Sequence, residues 1–304
     1  MFYRRKVILA MLESLGRDVS AKSMQKYLFL FTRRQSGEKT FDFVPYKYGC
    51  FSFQANQDIV SLAKQGYLEI EKENGKDSLY HSLHDTRSIY DLDLFDAQTI
   101  KDICHDFGNL SQDNLIAYTY RKSPFTAINS TIAKRLLTPK EFAKVQECKM
   151  YYKRKESVLM TIGYEGFTLE KYLRQLICND IRVLCDVRKN AFSMKYGFSK
   201  AILQKACEGV GIKYIHVPAL GIESEFRKSL KNQTDYDNLF AEYERTSLKQ
   251  NWGALLFVRS VIDKEKRVCL TCFEKDPRQC HRTIVAKALM ALPNVNYDFK
   301  EILL

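Results

Sequence analysis

From residue 158 onward, short apolar runs alternate with segments of helical periodicity, and this alternation constrains the fold more than any other feature of the chain. The apolar runs are predicted strands, at residues 158–162, 181–185, 214–217 and 268–272. The segments between and after them are predicted helices, at residues 169–178, 199–209, 236–250, 252–263 and from 280 onward. Strands that alternate with helices are joined by right-handed crossovers into a parallel sheet. We therefore predict a Rossmann-like three-layer α/β domain with a mainly parallel sheet over residues 157–304.

Glycines and unusual polar residues cluster where these predicted strands end. They are Gly163, Tyr164 and Gly166 after the first strand, Asp186 and Arg188 after the second, Glu274 after the last, and Cys280, His281 and Arg282 at the start of the final helix. Ligands of such sheets bind outside the carboxyl ends of the strands. The two glycines would let a ligand approach the first turn closely. We therefore predict a ligand crevice at this edge of the sheet.

The side chains at this edge suit anion binding and acid–base chemistry. Arg188 and Arg282 can hold an anion through paired N–H groups, and Asp186 or Glu274 can move a proton or bond a ribose. Because Cys280 stands at a helix N-terminus beside two basic residues, we expect a partly ionised thiol that acts as nucleophile or thiol donor. The expected catalytic residues are Cys280, His281, Glu274 and Asp186, and the expected ligand-binding residues are Gly163, Tyr164, Gly166, Arg188 and Arg282.

Each of these residues also has a simpler explanation. Cys280 can be a small buried apolar residue, and His281 can merely cap the helix. Asp186 and Arg188 can form a structural ion pair. The agreement between several strand ends nevertheless favours a functional crevice, whether catalytic or a sensor.

A Cys-x-x-Cys motif, Cys269 to Cys272, lies on the last predicted strand. Residues three apart on a strand point to opposite faces, and no second pair of ligands is nearby. No metal site is therefore predicted, and the sequence identifies no cofactor.

Residues 1–90 show the order of elements of a winged helix. The predicted elements are helices at 3–15, behind Ser20 and at 56–65, then strands at 68–72 and 78–81. Asn74-Gly75 between the two strands is a strong hairpin signal. In a winged helix one helix enters the major groove and the hairpin touches the DNA backbone. Since many winged helices bind only protein, both kinds of partner stay open.

Basic residues are concentrated near the start of the chain. The formal net charge is +12, and residues 1–40 hold nine basic and three acidic residues. Such a field attracts a polyanion, because neutralising phosphates releases counterions. The candidate nucleic-acid contacts are Lys22, Lys26, Arg33 and Arg34, with DNA favoured over RNA. A solvated helix face is the alternative.

Residues 91–150 are predicted to be a helical extension of the winged helix. Its helices are expected at 96–107, at 112–121 and from a capping box at Thr138-Pro139 onward. The charged, aperiodic stretch 151–156 separates this extension from the α/β domain.

The chain is expected to be cytoplasmic. It has no run of 18 apolar residues, and its apolar N-terminal stretch is interrupted by Glu13, unlike a signal peptide. Nine cysteines without a short-range framework indicate reduced thiols. We therefore expect no membrane association.

The C-terminal motifs together resemble the bacterial and archaeal domain of unknown function family 488 (DUF488). The resemblance covers about residues 157–292 and rests on the segments 161–166, 186–188, 197–200, 211–221 and 272–282. The closing Cys-x-Glu…Cys-His-Arg is its most specific part. Ala191 stands where the family often has a proline. Since the family's activity is not established, the resemblance implies a site and leaves the reaction open.

Residues 24–30 and 43–52, with their Pro-Tyr-x-Tyr-Gly-x-Phe-Ser stretch, resemble the winged-helix-like domain of SocA-type Panacea antitoxins. The resemblance covers about 80 residues. It implies a recognition module of a prokaryotic conflict or defence system, and no chemistry of its own.

These observations lead to a hypothesis with two alternatives. In the first, the winged helix holds DNA or RNA while the α/β domain binds or processes a nucleotide or base at the predicted crevice. In the second, the protein is a non-catalytic regulator that senses a small anionic ligand. In the third, Cys280 transfers sulfur as in rhodaneses, which also combine an Asp-x-Arg strand end with a cysteine at a helix N-terminus. Oligomeric state is left open.

Overall fold

The computed structural model describes residues 1–72, 74–83, 87–227 and 230–302. These residues form two compact units, Met1–Tyr151 (unit 1) and Tyr152–Leu304 (unit 2). Within the described part of the chain, unit 1 holds antiparallel sheets and unit 2 holds a five-stranded parallel sheet.

Unit 1 consists of helices around small antiparallel sheets. Its elements are α1 (Tyr3–Leu15), β1 (Val19–Ser20), α2 (Ala21–Arg34), β2 (Val44–Tyr46), β3 (Gly49–Phe51), α3 (Phe53–Lys64), β4 (Leu68–Glu71), β5 (Leu79–Ser82), α4 (Leu94–Phe107), α5 (Gln112–Lys122), α6 (Ala133–Leu136) and α7 (Pro139–Tyr151). The predicted hairpin is confirmed, since β4 and β5 pair antiparallel and β1 adds to β5. The third helix starts earlier than predicted because the side chain of Ser52 accepts a hydrogen bond from the N–H of Ala55 and caps it.

Helix α1 is a core helix of unit 1. Its residues 7–12 are all buried, and it ends at Gly16 in the left-handed conformation. The apolar stretch at the start of the chain is therefore accounted for by packing inside the unit. Among the described helices, none has the length and apolarity that a bilayer crossing requires.

Helix α2 lies at the centre of unit 1. All of its residues from 23 to 32 are buried, between α1, α4 and α5. Ile100 and Ile103 of α4 and Leu115 of α5 share one apolar cluster with Val7 and Met11 of α1. The helices predicted as an extension thus complete a common core and cover α2.

Unit 2 is a parallel α/β unit. Its elements are β6 (Val158–Gly163), α8 (Leu169–Cys178), β7 (Val183–Asp186), α9 (Lys200–Gly209), β8 (Lys213–His216), α10 (Gln233–Tyr243), α11 (Trp252–Glu265), β9 (Arg267–Cys272), α12 (His281–Met290) and β10 (Asp298–Ile302). The strand order is β10-β6-β9-β7-β8, and every pair is parallel. The predicted parallel sheet is confirmed, and the ends of β6, β7 and β9 lie side by side.

Strand β10 was not expected from the sequence. It pairs with β6 at the edge of the sheet, with Asp298 opposite Val158 and Ile302 opposite Ile162. Three of its five residues are exposed, so the strand lacks the apolar run by which the buried strands were predicted. Charged side chains such as Asp298, Lys300 and Glu301 are common on edge strands, and here they interrupt the apolar pattern.

The β2–β3 hairpin packs so closely on α5 that a side chain at Gly49 would meet Tyr120. Its φ is +92°, and a Cβ there would lie 2.4 Å from the ring of Tyr120, whereas Gly16 has φ +60° with open space around it. We expect Gly49→Ala to lower the free energy of unfolding by about 2–5 kcal/mol, from backbone strain plus overlap. Gly16→Ala, with strain alone, should cost about 1–2 kcal/mol. Urea denaturation of both variants measures the difference, and equal losses would show that Tyr120 yields without cost.

Candidate functional site at the carboxyl edge of the sheet

A buried ion pair occupies the end of β7. Arg188 donates from Nε to Oδ1 of Asp186 at 2.9 Å and from Nη2 to Oδ2 at 2.5 Å. Its Nη1 donates to the hydroxyl of Tyr164 and to the carbonyl of Phe198, both at 2.9 Å. The hydroxyl of Tyr214 donates to Oδ2 of Asp186 at 2.6 Å. Burial, and then the neighbouring carboxylate of Asp186, raise the pKa of Tyr214.

The geometry of Arg188 corrects its expected role as an anion clamp. Its fork is turned onto Asp186, and the two side chains are 6% and 0% exposed. Asp186 and Arg188 form the structural ion pair that the sequence analysis gave as the alternative. Asp186 is likewise engaged by Arg188 and Tyr214, which leaves it poorly placed for proton transfer to a ligand.

Gly163 also has a different role from the one predicted. A Cβ at this position would lie 1.8 Å from the carbonyl oxygen of Glu274, so the protein's own chain fills the space expected for a ligand. The chain after β9 stays hydrogen-bonded to the chain after β6, through the N–H of Glu165 and the carbonyl of Phe273. Gly166 has φ +82°, the left-handed conformation that its turn requires.

Tyr164 is the aromatic centre of this edge. Its ring stacks on Phe198 with 4.3 Å between centroids and meets Phe273 edge-on at 5.3 Å. Tyr164 is buried, whereas Phe273 is 42% exposed. The predicted ligand residue Tyr164 therefore supports a neighbouring aromatic ring that faces solvent.

Two cysteines and a histidine meet between β9 and α12. Ligand atoms of Cys272, Cys280 and His281 all lie within 4.8 Å of one another, and all three residues are buried. Sγ of Cys272 is 3.8 Å from Nδ1 of His281 and 3.2 Å from Oε2 of Glu274. Cys272 is the last residue of β9, Cys280 is the N-cap of α12 and His281 is its first residue.

His281 is held in one orientation by the neighbouring strand connection. Its Nε2 lies 2.9 Å from the carbonyl oxygen of Val187, which can only accept, so Nε2 carries the hydrogen. In the neutral ring the lone pair is then on Nδ1, the atom that faces Cys272. The His281 ring therefore contacts the chain after β7 and does not cap α12, which was the simpler explanation.

Cys280 is not the partly ionised thiol that its position predicts. Burial raises its pKa well above the ordinary value, the adjacent Cys272 raises it further, and the opposing charge of Arg282 is a smaller effect. The helix terminus and basic neighbours were correctly located, but the sequence could not indicate that the thiol is removed from water.

Arg282 is a buried cation with an incomplete set of partners. It is 1% exposed, and its Nη1 and Nη2 donate to the carbonyls of Glu274 and Lys275 at 2.5 and 3.3 Å. Its Nε has no hydrogen-bond partner among the described residues. A guanidinium in this state stabilises negative charge in its surroundings, and Cys280 lies close enough to feel that charge.

The predicted nucleic-acid residues separate into buried and exposed ones. Lys26 is 1% exposed and donates from Nζ to the carbonyl of Cys50 at 2.9 Å, and burial lowers its pKa. Its expected contact with nucleic acid is therefore wrong. Lys22 lies over the ring of Tyr48 at 4.5 Å, beside a cavity of about 200 Å³. Arg33 is exposed, as expected.

The basic start of the chain is largely neutralised inside unit 1. Asp58 pairs with both Arg4 and Arg5, and Asp106 pairs with Arg34 at 2.9 Å. Unit 1 has 22 Lys and Arg against 18 Asp and Glu, a net +4, whereas unit 2 has 26 against 18, a net +8. The excess charge of the chain thus lies mainly in unit 2, contrary to the expectation from the first 40 residues.

The grouping of Cys272 with Cys280 and His281 was missed in the sequence. Cys272 was considered only with Cys269, although the end of a strand and the start of the next helix meet at one edge of a parallel sheet. That topological rule, applied to Cys-x-Glu…Cys-His, is the signal that could have found it. The exposed side chains of the connection between β7 and α9 were also overlooked, because single exposed apolar residues are common.

The ion pair at the end of β7 can be tested by removing one charge. Asp186→Asn leaves the buried guanidinium of Arg188 without a counter-charge, so we expect a loss of about 3–5 kcal/mol in the free energy of unfolding. Asp276→Asn is the matched control, because Asp276 pairs with the exposed Arg278, and we expect little change. Chemical denaturation measures both. If Asp186→Asn has the wild-type free energy of unfolding, Arg188 has another anionic partner.

Comparison with known families bears on unit 2. Residues 168–289 match the family described as Domain of unknown function DUF488. The comparison with curated proteins gives no significant match. The matched segment begins with the cap of α8, contains the Asp186–Arg188 pair and ends within α12, after the two cysteines and the histidine. Unit 2 is therefore similar to the DUF488 family over residues 168–289.

Proposed function

We propose that this protein associates with nucleic acid, that unit 1 contacts duplex DNA as a winged helix, and that unit 2 binds a nucleotide or a single strand at the carboxyl edge of its sheet. The observation that carries the proposal is a basic and aromatic surface on that edge. We call it the edge surface, and it consists of Phe192, Met194, Lys195, Lys200, Phe273 and Lys275.

The connection between β7 and α9 contributes most of the edge surface. Phe192 is 66% exposed and Met194 is 91% exposed, which is unusual for large apolar side chains so close together. Lys195 lies beside them, with Nζ 5.6 Å from the ring centre of Phe198, and Lys200 is exposed at the start of α9. Exposed rings that stack on bases, next to lysines that neutralise phosphates, are the usual means of binding single strands.

The connection after β9 extends the same surface. Phe273 is exposed and leans on Tyr164, and Lys275 follows it with an exposed side chain. Both residues leave the carboxyl end of a strand, as Phe192 does. The net charge of +8 in unit 2 supports a polyanionic partner for this edge.

Unit 1 supports the proposal through its order of elements. Helices α1, α2 and α3 followed by the β4–β5 hairpin, with β1 beside it, give the order of a winged helix. Arg33 and Arg34 are the exposed members of the predicted basic set, and Arg34 pairs with Asp106 at 2.9 Å. The similarity of residues 24–30 and 43–52 to SocA-type Panacea domains is the ground on which we propose a role in prokaryotic defence.

The buried site favours binding over covalent chemistry. Cys280 is 1% exposed and its pKa is raised, which disfavours the sulfur-transfer alternative. Asp186 is satisfied by its own partners. A nucleotide that is recovered chemically unchanged, while it alters affinity for DNA, would support the ligand-sensing form of this proposal.

Base stacking on the edge surface predicts a large effect of Phe192. We expect Phe192→Ala to weaken binding of a fluorescein-labelled single-stranded oligonucleotide by about 5- to 150-fold, since one stacked base contributes about 1–3 kcal/mol. Fluorescence anisotropy with the full chain measures the affinity. Phe257→Ala is the control, because Phe257 is 48% exposed on α11 and lies outside the edge surface. Equal effects of the two variants would refute stacking at this edge.

Phosphate contact by unit 1 predicts a change in salt dependence. We expect Arg33→Ala to weaken binding of a DNA duplex and to reduce the slope of log affinity against log salt by about 1. Lys26→Met should leave both quantities unchanged, because Lys26 is buried. Titrations at several salt concentrations give the slopes. The proposal for unit 1 fails if Arg33→Ala has the wild-type slope.

A further inference from the structure

We infer that Cys272, Cys280 and His281 form a zinc site between the end of β9 and the start of α12. The inference does not depend on nucleic-acid binding. It concerns what the buried cluster holds, whereas the proposed function concerns the exposed edge surface.

The positions of the ligand atoms fit a tetrahedral ion. With Zn–S bonds of about 2.3 Å and Zn–N bonds of about 2.0 Å, tetrahedral angles place two sulfurs roughly 3.7 Å apart and a sulfur and a nitrogen roughly 3.5 Å apart. Sγ of Cys272 and Nδ1 of His281 are 3.8 Å apart, and the three ligand atoms lie within 4.8 Å of one another. The observed separations are therefore within roughly 1 Å of those in a tetrahedral site.

The types of ligand select the metal. Two sulfurs and one imidazole nitrogen match zinc, which takes cysteine and histidine in tetrahedral sites. Magnesium and calcium require oxygen ligands and are excluded by this set. The three residues are contributed by a strand end and a helix start, so the scaffold fixes their positions.

His281 has the second partner that a metal-binding histidine requires. Its Nε2 donates to the carbonyl of Val187 at 2.9 Å, which leaves Nδ1 directed to Cys272. A histidine that binds metal through one nitrogen and donates the other N–H to a carbonyl is the common arrangement, because it fixes both tautomer and ring orientation.

The charges also balance when the ion is present. Arg282 is a buried cation whose Nε has no partner among the described residues and whose other bonds go to main-chain carbonyls. Zinc with two thiolates is neutral, and the carboxylate of Glu274 beside Cys272 adds one negative charge. Binding of zinc by the two thiolates therefore adds no net charge beside the buried Arg282.

Three protein ligands leave a fourth position on the ion. Oε2 of Glu274 is 3.2 Å from Sγ of Cys272, and the Glu274 side chain is partly exposed. We expect water or the carboxylate of Glu274 to fill it.

The decisive measurement is the metal content of the full chain, purified without a histidine tag or chelator. We expect about one zinc per chain by inductively coupled plasma mass spectrometry. After removal of zinc with a chelator, added Co²⁺ should give the thiolate charge-transfer bands and the intense visible bands of a tetrahedral site. Less than a tenth of a zinc per chain together with no such bands would overturn the inference.

Variants assign the site to these residues. We expect Cys272→Ser, Cys280→Ser and His281→Asn each to lower zinc affinity at least tenfold, and Glu274→Gln to lower it less. Cys269→Ser is the matched control, because Cys269 is equally buried on the same strand and outside the cluster. If a ligand variant does not fold, the cobalt spectrum of the wild-type chain still decides. A Cys269→Ser effect equal to that of Cys272→Ser contradicts the assignment.

A disulfide between Cys272 and Cys280 is the competing arrangement. Alkylation of freshly purified protein, followed by mass spectrometry, distinguishes the two, because zinc-bound thiols alkylate after chelation and a disulfide does not. Recovery of the disulfide as the main form would refute the zinc site. Affinity for the labelled oligonucleotide is measured on the same samples, so the zinc site and the edge surface can fail separately.

Discussion

The carboxyl edge of unit 2 is organised by a charge pair removed from water, Asp186 with Arg188. A lone charge in that position would be strongly destabilising, so the two residues have to be placed together. Once placed, Arg188 draws the hydroxyl of Tyr164 and the carbonyl of Phe198 toward the end of β7, and Asp186 draws in Tyr214 from β8. The stacked rings and the connection that carries the edge surface are held in place by this pair.

The sequence predicted where side chains gather but not how they satisfy one another. Helices and strands could be predicted because buried residues recur along the chain at the spacing of the element that they belong to. Whether Arg188 faces a ligand or Asp186 depends on a rotamer, and whether Gly163 admits a ligand depends on where the chain after β9 returns. Both are tertiary outcomes without a local signal. The grouping of Cys272 with Cys280 is different, because the meeting of strand ends and helix starts at one edge of a parallel sheet could have indicated it.

Charge distribution shows a similar difference between sequence and space. The cations at the start of the chain form a dense group in sequence, yet Asp58 lies against Arg4 and Arg5 once α3 packs on α1. Lys26 is enclosed within unit 1. A charge count over the first 40 residues omits acidic residues, such as Asp58, that lie later in the sequence and pair with these cations. A count over a compact unit includes them, and it moves the surplus of positive charge into unit 2.

The position of β6 in the sheet has a consequence for biosynthesis. β6 is the first strand of unit 2 to be made, but both of its neighbours, β9 and β10, come from the last forty residues of the chain. At ribosomal rates of about 5–20 residues per second, its backbone N–H and C=O groups wait on the order of ten seconds for a partner strand. Unit 1 can collapse meanwhile on its local helices. In unit 2, therefore, a buried strand has no hydrogen-bonded neighbour until the end of the chain has been made.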